Sequence, residues 1–568
     1  MNIQKRPHRL LFSALLTIGL SQPIALHAAP HAYPKTQETL ASQLDAIMQA
    51  SHVVGLSIAL VDDQTLVWSQ GFGYADQAQG RKATPDTVFR AGSISKPLTA
   101  TAAMQLAEQG MLDIDQPVQR YVPKFAMKSR FPGSEPITPR QLMTHHSGLP
   151  DTHLKGALTD ESFGERVESL GEEYVAYPPK LLLTYSNLGF ALLGRAIENT
   201  CGQPFSACLA ERLLQPLGMG QSGFATGAAP SPLMSKGYAG GQEAPPIVLR
   251  DVPAGGLNST VLDLSRFVEM VFADGGKIIG SAPLAEMLRP QNEGVALDLD
   301  AQIGLGWFLN RTASGQPTAW HNGSDGTFNS MLLIAPGKKL GVVVLSNSAE
   351  GGSVVSAVAT AALELMLAEQ SGSATRAEAI AAPLAAKLPK GAKDYLGNYA
   401  SEFGTVRIAR QGQGLSLNLN GARTALSPQT DGGFLAPATA FGDLPLKRAD
   451  IAGHALLVMG LPGERQIFGE KLAAPSVPAA WLARLGKYRV INPDAPAAKT
   501  PLSLSYRNGC LFLKSGVLPE RMLAPVNDQE AVFAGLGRGL GETVAAEEHA
   551  GRTYLRYSGY VLEHRTQP

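Results

Sequence analysis

Ser93-Ile94-Ser95-Lys96 is the only S-x-x-K in the 568 residues. The run after it, Pro97 to Gln109, reads as a helix, and Gly110 stands where a C-terminal cap would sit. Three positions make almost one helical turn, so Lys96 faces the same side as Ser93. A serine hydroxyl is a weak nucleophile until a base takes its proton, and a lysine one turn away serves if burial lowers its pKa. A helix N-terminus also offers backbone N–H groups to a developing oxyanion. By itself the spacing describes a solvated helix start equally well, because a Ser three before a Lys arises by chance about once in a chain of this size.

Two further constellations add weight. Tyr185-Ser186-Asn187 stands just before another helical run, and His321-Asn322-Gly323 lies shortly before the strand-like Met331-Leu332-Leu333-Ile334. S-x-x-K, Y-x-N and [KH]-x-G in that order resemble the serine β-lactamase and penicillin-binding superfamily. The wording between them narrows the resemblance. Leu142-Met143-Thr144-His145-His146-Ser147-Gly148-Leu149, Pro253-Ala254-Gly255-Gly256-Leu257 and Asp263-Leu264-Ser265-Arg266-Phe267 are similar to the branch that holds class C β-lactamases. D-alanyl-D-alanine carboxypeptidases, D-aminopeptidases and family VIII esterases share that branch. The likeness runs from about Val53 to about Glu364.

The resemblance implies Ser93 as nucleophile, with Lys96 and Tyr185 sharing the acid–base role. It implies Asn187 on the acyl-side amide and an oxyanion hole of the Ser93 and Ser324 backbone N–H groups beside Gly323. His321 takes the place that lysine holds in K-T-G enzymes. Lysine there offers a permanent charge to a substrate carboxylate, whereas histidine offers one only near or below its pKa of about 6.5. The H-x-G form is closer to the D-peptidases of the branch than to class C β-lactamases. The expected activity is therefore an acyl-enzyme hydrolase of small amides or esters. D-amino-acid peptides, including peptidoglycan-derived ones, are the first expectation, and small esters or β-lactams the alternative. A non-catalytic penicillin or cell-wall sensor is the competing class. No cofactor and no metal is expected, since His145-His146 are neighbours that cannot share one ion on a helix face.

Tyr506-Arg507-Asn508, Lys339-Leu340-Gly341 and Lys514-Ser515-Gly516 repeat the short motifs without the surrounding wording, and are read as structural. Gly535-Leu536-Gly537-Arg538-Gly539-Leu540-Gly541 lacks a phosphate-loop lysine, and is expected to be a mobile hairpin tip.

The elements that must position these groups follow from composition and pattern. Lys plus Arg total 48 and Asp plus Glu total 48, so net charge is zero and nucleic acid is excluded as an expected partner. Residues 1–29 read as a signal peptide, with Lys5, Arg6 and Arg9 before an apolar core and small residues at Ala28 and Ala29. A periplasmic or secreted protein follows, with no transmembrane segment expected in the mature chain. Cys201 and Cys208 permit a disulfide in an oxidising compartment and equally permit two buried thiols.

A hairpin over 53–74, a mostly helical middle over about 95–300, two strands joined at Pro336-Gly337 and a helix over about 354–369 suit an α/β unit at 30–369. In the family it resembles, an antiparallel sheet is flanked by helices and a helical subdomain. Residues 370–390 read as a linker rich in Ala, Ser, Pro and Lys. Short alternating runs beyond it predict all-β structure. Tyr395-Leu396-Gly397-Asn398-Tyr399 is echoed near Leu485-Gly486-Lys487-Tyr488, each ahead of an Asn-Gly turn. Two small barrels, at 391–472 and 473–568, are the expectation, and one larger barrel or sandwich the alternative.

Overall fold

A computed structural model describes residues 31–229, 231–372, 387–439, 442–473, 476–494, 501–515 and 519–565. The leader read at 1–29 and most of the linker read at 370–390 lie outside the described residues.

The first unit is built on an eight-stranded antiparallel sheet. Its strands are β1 (Gly55–Asp62), β2 (Thr65–Asp76), β3 (Arg81–Lys82), β4 (Gln302–Ile303), β5 (Phe308–Arg311), β6 (Pro317–Ser324), β7 (Asn329–Ala335) and β8 (Leu340–Ser346). They lie in the order β3-β2-β1-β8-β7-β6-β5-β4, so the two ends of the unit meet at the β1–β8 pairing, Ile58 opposite Val344.

Side chains alternate across this sheet with period two. On β1, Leu56, Ile58 and Leu60 join one core with Leu40 and Leu44 of α1 (Pro34–Ala50). Ala59 and Val61 join the other core, under the helical subdomain. There α2 (Ser95–Glu108) packs against α3 (Asn187–Cys201), while α4 (Val261–Phe272) lies on β1 and β8. Buried residues occur all round α2, as expected of a core helix rather than a surface one.

Helix α5 (Gly351–Ser371) closes the unit by placing Val355, Val358 and Leu363 on the first core. By length and composition alone this helix could cross a membrane, a test that the core helix of a globular protein also passes. Half of its apolar window is buried inside the protein. Cys201 and Cys208, left undecided by the sequence, form a disulfide between the end of α3 and the short helix Phe205–Leu209.

Beyond the gap, Gly397–Lys471 and Gly486–His564 each form a closed eight-stranded antiparallel barrel. The echo in the sequence has a physical basis. Tyr399 Oη donates to the Tyr395 carbonyl at 2.7 Å, and Tyr488 Oη donates to the Arg484 carbonyl at 2.6 Å. Each tyrosine thus reaches back four residues to pin the entry to its barrel. The Asn420-Gly421 and Asn508-Gly509 turns have positive φ at both residues, as a two-residue hairpin of this hand requires. The second barrel is not separate in packing. Its Trp481, Leu511 and Leu536 share one buried cluster with Ala176, Tyr177, Leu182 and Leu297 of the first unit.

Candidate active site

Ser93 sits between the short strand Phe89–Gly92 and α2. Ser95 Oγ donates to the Gly92 carbonyl at 2.7 Å and accepts the Leu257 N–H at 3.0 Å, which fixes the turn that carries Ser93. Lys96 follows in the first turn of α2 and is fully buried. Tyr185-Ser186-Asn187 forms the start of α3 because Ser186 is its N-cap, accepting the Gly189 N–H at 2.9 Å. His321 and Gly323 lie on β6, two residues apart and therefore on one face.

These elements bring the sequence-predicted residues together. Lys96 Nζ lies 3.0 Å from Ser93 Oγ, 2.9 Å from Asn187 Oδ1 and 2.7 Å from the Ala254 carbonyl. Tyr185 Oη donates to Ser93 Oγ at 2.8 Å. The Asn187 and Ala254 oxygens only accept, so a neutral lysine spends its two N–H groups on them. Its lone pair is then left for the Ser93 hydroxyl. Burial pushes the Lys96 pKa well below its ordinary value, with the Arg538 charge adding to the effect. Burial pushes the Tyr185 phenol up, against the opposing pull of its bond to Ser93. Both shifts favour the uncharged forms, an amine and a phenol. The sequence left open which of the two takes the first proton, and these directions favour Lys96.

Two glycines let strand and turn approach. A Cβ on Gly323 would stand 2.8 Å from the Ser93 nitrogen, and one on Gly92 would stand 2.8 Å from the Ser324 nitrogen. The two backbone N–H groups expected to form the oxyanion hole are therefore neighbours. Ser330 Oγ bonds the Ala91 carbonyl at 2.7 Å across the same contact. Asp325, next to Ser324, is held by Arg90, with Nε 2.6 Å from Oδ2 and both side chains buried.

His321 carries the burial that decides its charge. It is buried, and desolvation, with help from the Lys96 charge, pushes its pKa down to about 3. Its Nδ1 lies 2.6 Å from the Asn322 carbonyl oxygen, which requires the proton on Nδ1. Nε2 is then a bare acceptor, buried and without a protein partner among the described residues. An imidazole in that state carries no charge, unlike the lysine of K-T-G enzymes whose place it takes.

Sequence reasoning missed the groups that hold Tyr185. His145 stacks on it with ring centroids 4.3 Å apart, and its Nδ1 accepts the Ser186 N–H at 3.1 Å. Asp298 bonds His146 Nε2 at 2.8 Å and the Leu183 N–H at 2.6 Å. The paired histidines therefore support the tyrosine segment, as their presence in a shared motif could have signalled. Asp151 accepts from Asn187 Nδ2 at 3.1 Å and from Arg538 Nε at 2.8 Å. Nothing in the sequence marked Asp151, and Arg538 stood out only as a member of the glycine-rich run read as a hairpin tip.

A cleft of about 480 Å³ reaches the site at Tyr185, and is lined besides by Phe308 and Trp320 of the first unit and by Glu402, Arg465 and Arg538 of the barrels. A larger groove of about 670 Å³ lies between the barrels and includes none of the residues around Ser93.

The sequence model of the family described as Beta-lactamase matches residues 40–367. The chain belongs to the beta-lactamase family. Its members are serine hydrolases, and the matched span covers the sheet, the helical subdomain and every residue predicted for the site. "Penicillin-binding protein 4" of Amycolatopsis lactamdurans is 29% identical over 378 residues, 64% of this chain and 97% of the relative. "Protein flp" of Staphylococcus aureus (strain MW2) is 27% identical over 322 residues, 55% of this chain and 63% of that protein's own length. Among solved structures, the octameric penicillin-binding protein homologue from Pyrococcus abyssi shares the fold with a TM-score of 0.51 at 21% identity, over 85% of this beta-lactamase-family chain and 99% of the homologue.

Proposed function

We propose that this protein is an exported serine hydrolase that cleaves amide or ester bonds of small substrates through an acyl-enzyme, with D-amino-acid peptides of the cell-wall type as its substrates. The observation that carries the reading is the convergence of a buried lysine and a tyrosine on one serine oxygen, at 3.0 Å and 2.8 Å.

In the reaction the Ser93 Oγ–H proton passes to the Lys96 lone pair as Oγ bonds the carbonyl carbon. The oxyanion forms beside the Ser93 and Ser324 N–H groups. As the bond to the leaving group breaks, the Tyr185 hydroxyl supplies its proton, and the lysinium returns the serine proton to the tyrosinate, which restores both groups. Water then attacks the acyl carbon by the same steps and frees Ser93. Asn187 anchors the amine throughout and so holds its lone pair on the serine.

A sensor that only binds would not need this arrangement. The esterase alternative uses the same steps and differs only in what the cleft accepts. Mass spectrometry after treatment with a fluorophosphonate should place one adduct on Ser93, and profiling on D-amino-acid peptides, p-nitrophenyl esters and nitrocefin should show turnover of the peptides. An adduct elsewhere, or none, overturns the hydrolase reading; ester turnover without peptide turnover moves it to the esterase alternative.

A further inference from the structure

The glycine-rich run 535–541 is not placed as a hairpin tip in solvent. It crosses from the second barrel into the catalytic cleft. Its glycines at 535, 537, 539 and 541 all have positive φ. A Cβ on Gly535 would meet the Ala400 Cβ at 2.7 Å, one on Gly537 would meet Glu402 Oε2 at 2.7 Å, and one on Gly541 would meet the Ala176 carbonyl at 2.6 Å. The run is wedged between the first barrel and the first unit along a path that side chains would block. Tyr177 Oη donates to the Gly535 carbonyl at 2.9 Å, and Arg130 donates to the Gly541 carbonyl at 3.1 Å.

This path presents Arg538 to the cleft. Its Nε donates to Asp151 at 2.8 Å, and its guanidinium lies 4.7 Å over the ring of Tyr185. Among the described residues Nη1 and Nη2 have no protein partner, and the side chain is 49% exposed. The other cations of the region are occupied or neutral. Arg465 spends Nε and Nη2 on Asp300, at 2.8 Å and 2.7 Å. Lys96 is buried with its donors in use, and His321 is a neutral acceptor. Glu402 accepts the Arg538 backbone N–H and leaves the guanidinium fork free.

Resting on the hydrolase reading above, we propose that Arg538 is the specificity residue that binds a free carboxylate next to the scissile bond, so that the second barrel selects carboxylate-terminated peptides for a serine it does not itself carry. The Nη1 and Nη2 hydrogens form the planar fork that takes a carboxylate through two parallel bonds. Asp151 and the Tyr185 ring hold that fork in place before substrate arrives, which lowers the ordering cost of binding. Because Asp151 also bonds Asn187, the carboxylate subsite is tied to the residue that anchors the lysine base.

The test uses the full chain in a Ser93→Ala background, so binding is read without chemistry. Calorimetry compares N-acetyl-D-alanyl-D-alanine with its C-terminal amide. The acid should bind about tenfold or more tightly than the amide, as loss of a charge-assisted fork implies. Adding Arg538→Ala should erase that ratio. Arg538→Gln, which keeps a donor for Asp151, should erase it too, while Arg538→Lys should keep part of it. Equal binding of acid and amide, no binding of the acid, or a ratio that survives both neutral variants overturns the proposal. Failure of the hydrolase reading shows separately, as an active-site serine in the unsubstituted chain that no fluorophosphonate labels.

Discussion

The Nζ of Lys96 stands 3.0 Å from the Oγ of Ser93, with two acceptor oxygens consuming its hydrogens. A neutral amine held in this way keeps its lone pair for the serine proton. An ammonium would have no lone pair to offer, and burial disfavours it.

The first prediction concerns this base. Because Lys96 works neutral and its pKa lies well below the ordinary lysine value, kcat/KM should rise with pH through its folded pKa and then level off while the phenol of Tyr185 stays protonated. Lys96→Ala should lower kcat/KM by about 10³-fold, and added methylamine should restore part of it. A loss under tenfold would remove the amine from the base role.

Lys96 and Tyr185 share one oxygen, so their losses should not add. Tyr185→Phe should also be severe, and the double variant should be little worse than the poorer single one. Strictly additive losses in the logarithm of the rate would contradict the shared role.

His321 sets a pH dependence of stability rather than of binding. Its folded pKa is about 3, against about 6.5 in the unfolded chain. Above pH 6.5 both states are neutral there and its contribution is constant. As pH falls from about 6.5 toward 3, the unfolded chain takes up a proton that the folded one refuses, so stability is lost. The urea midpoint should fall less steeply with acid in His321→Asn than in the unsubstituted chain, and KM for a carboxylate substrate should carry no step near pH 6.5.

Gly537 has φ 140° and faces Glu402 Oε2. Gly537→Ala should displace the run that carries Arg538, at a cost of about 1–3 kcal/mol in backbone strain. Thermal unfolding should detect the loss, and calorimetry with the acid and amide peptides should show their binding ratio reduced. An unchanged melting temperature would mean that the run is not held in this conformation.

The division read at 369 implies that a chain ending there is still acylated at Ser93, with a changed substrate range. The shared cluster adds a cost in stability. Ending the chain after Ser371 uncovers Ala176, Tyr177, Leu182 and Leu297, and a large apolar side chain such as Leu182 contributes about 1.5–3 kcal/mol when fully buried. The shortened chain should melt at a lower temperature and lose its preference for carboxylate peptides. A melting temperature equal to that of the full-length chain, measured by calorimetry, would show that the barrels do not support the first unit.

What the sequence determined by itself is whatever is encoded in local spacing. The S-x-x-K turn, the N-cap that makes Ser186 start α3, the alternation along β1 and β8, and the two Asn-Gly hairpins each follow from neighbours within a few residues. The family wording then supplied the pairing of Ser93, Lys96 and Tyr185. The tertiary structure decided everything that depends on what lies opposite. The neutrality of His321 comes from burial, which one residue type in a motif does not report. The Cys201–Cys208 bond needed the end of α3 and the short helix after it turned toward one another. Arg538 sits 387 residues beyond Asp151, and its pairing depends on a barrel docking against the first unit. Its glycines were visible from the start, but the φ angles and close contacts that give them a purpose exist only in the folded chain.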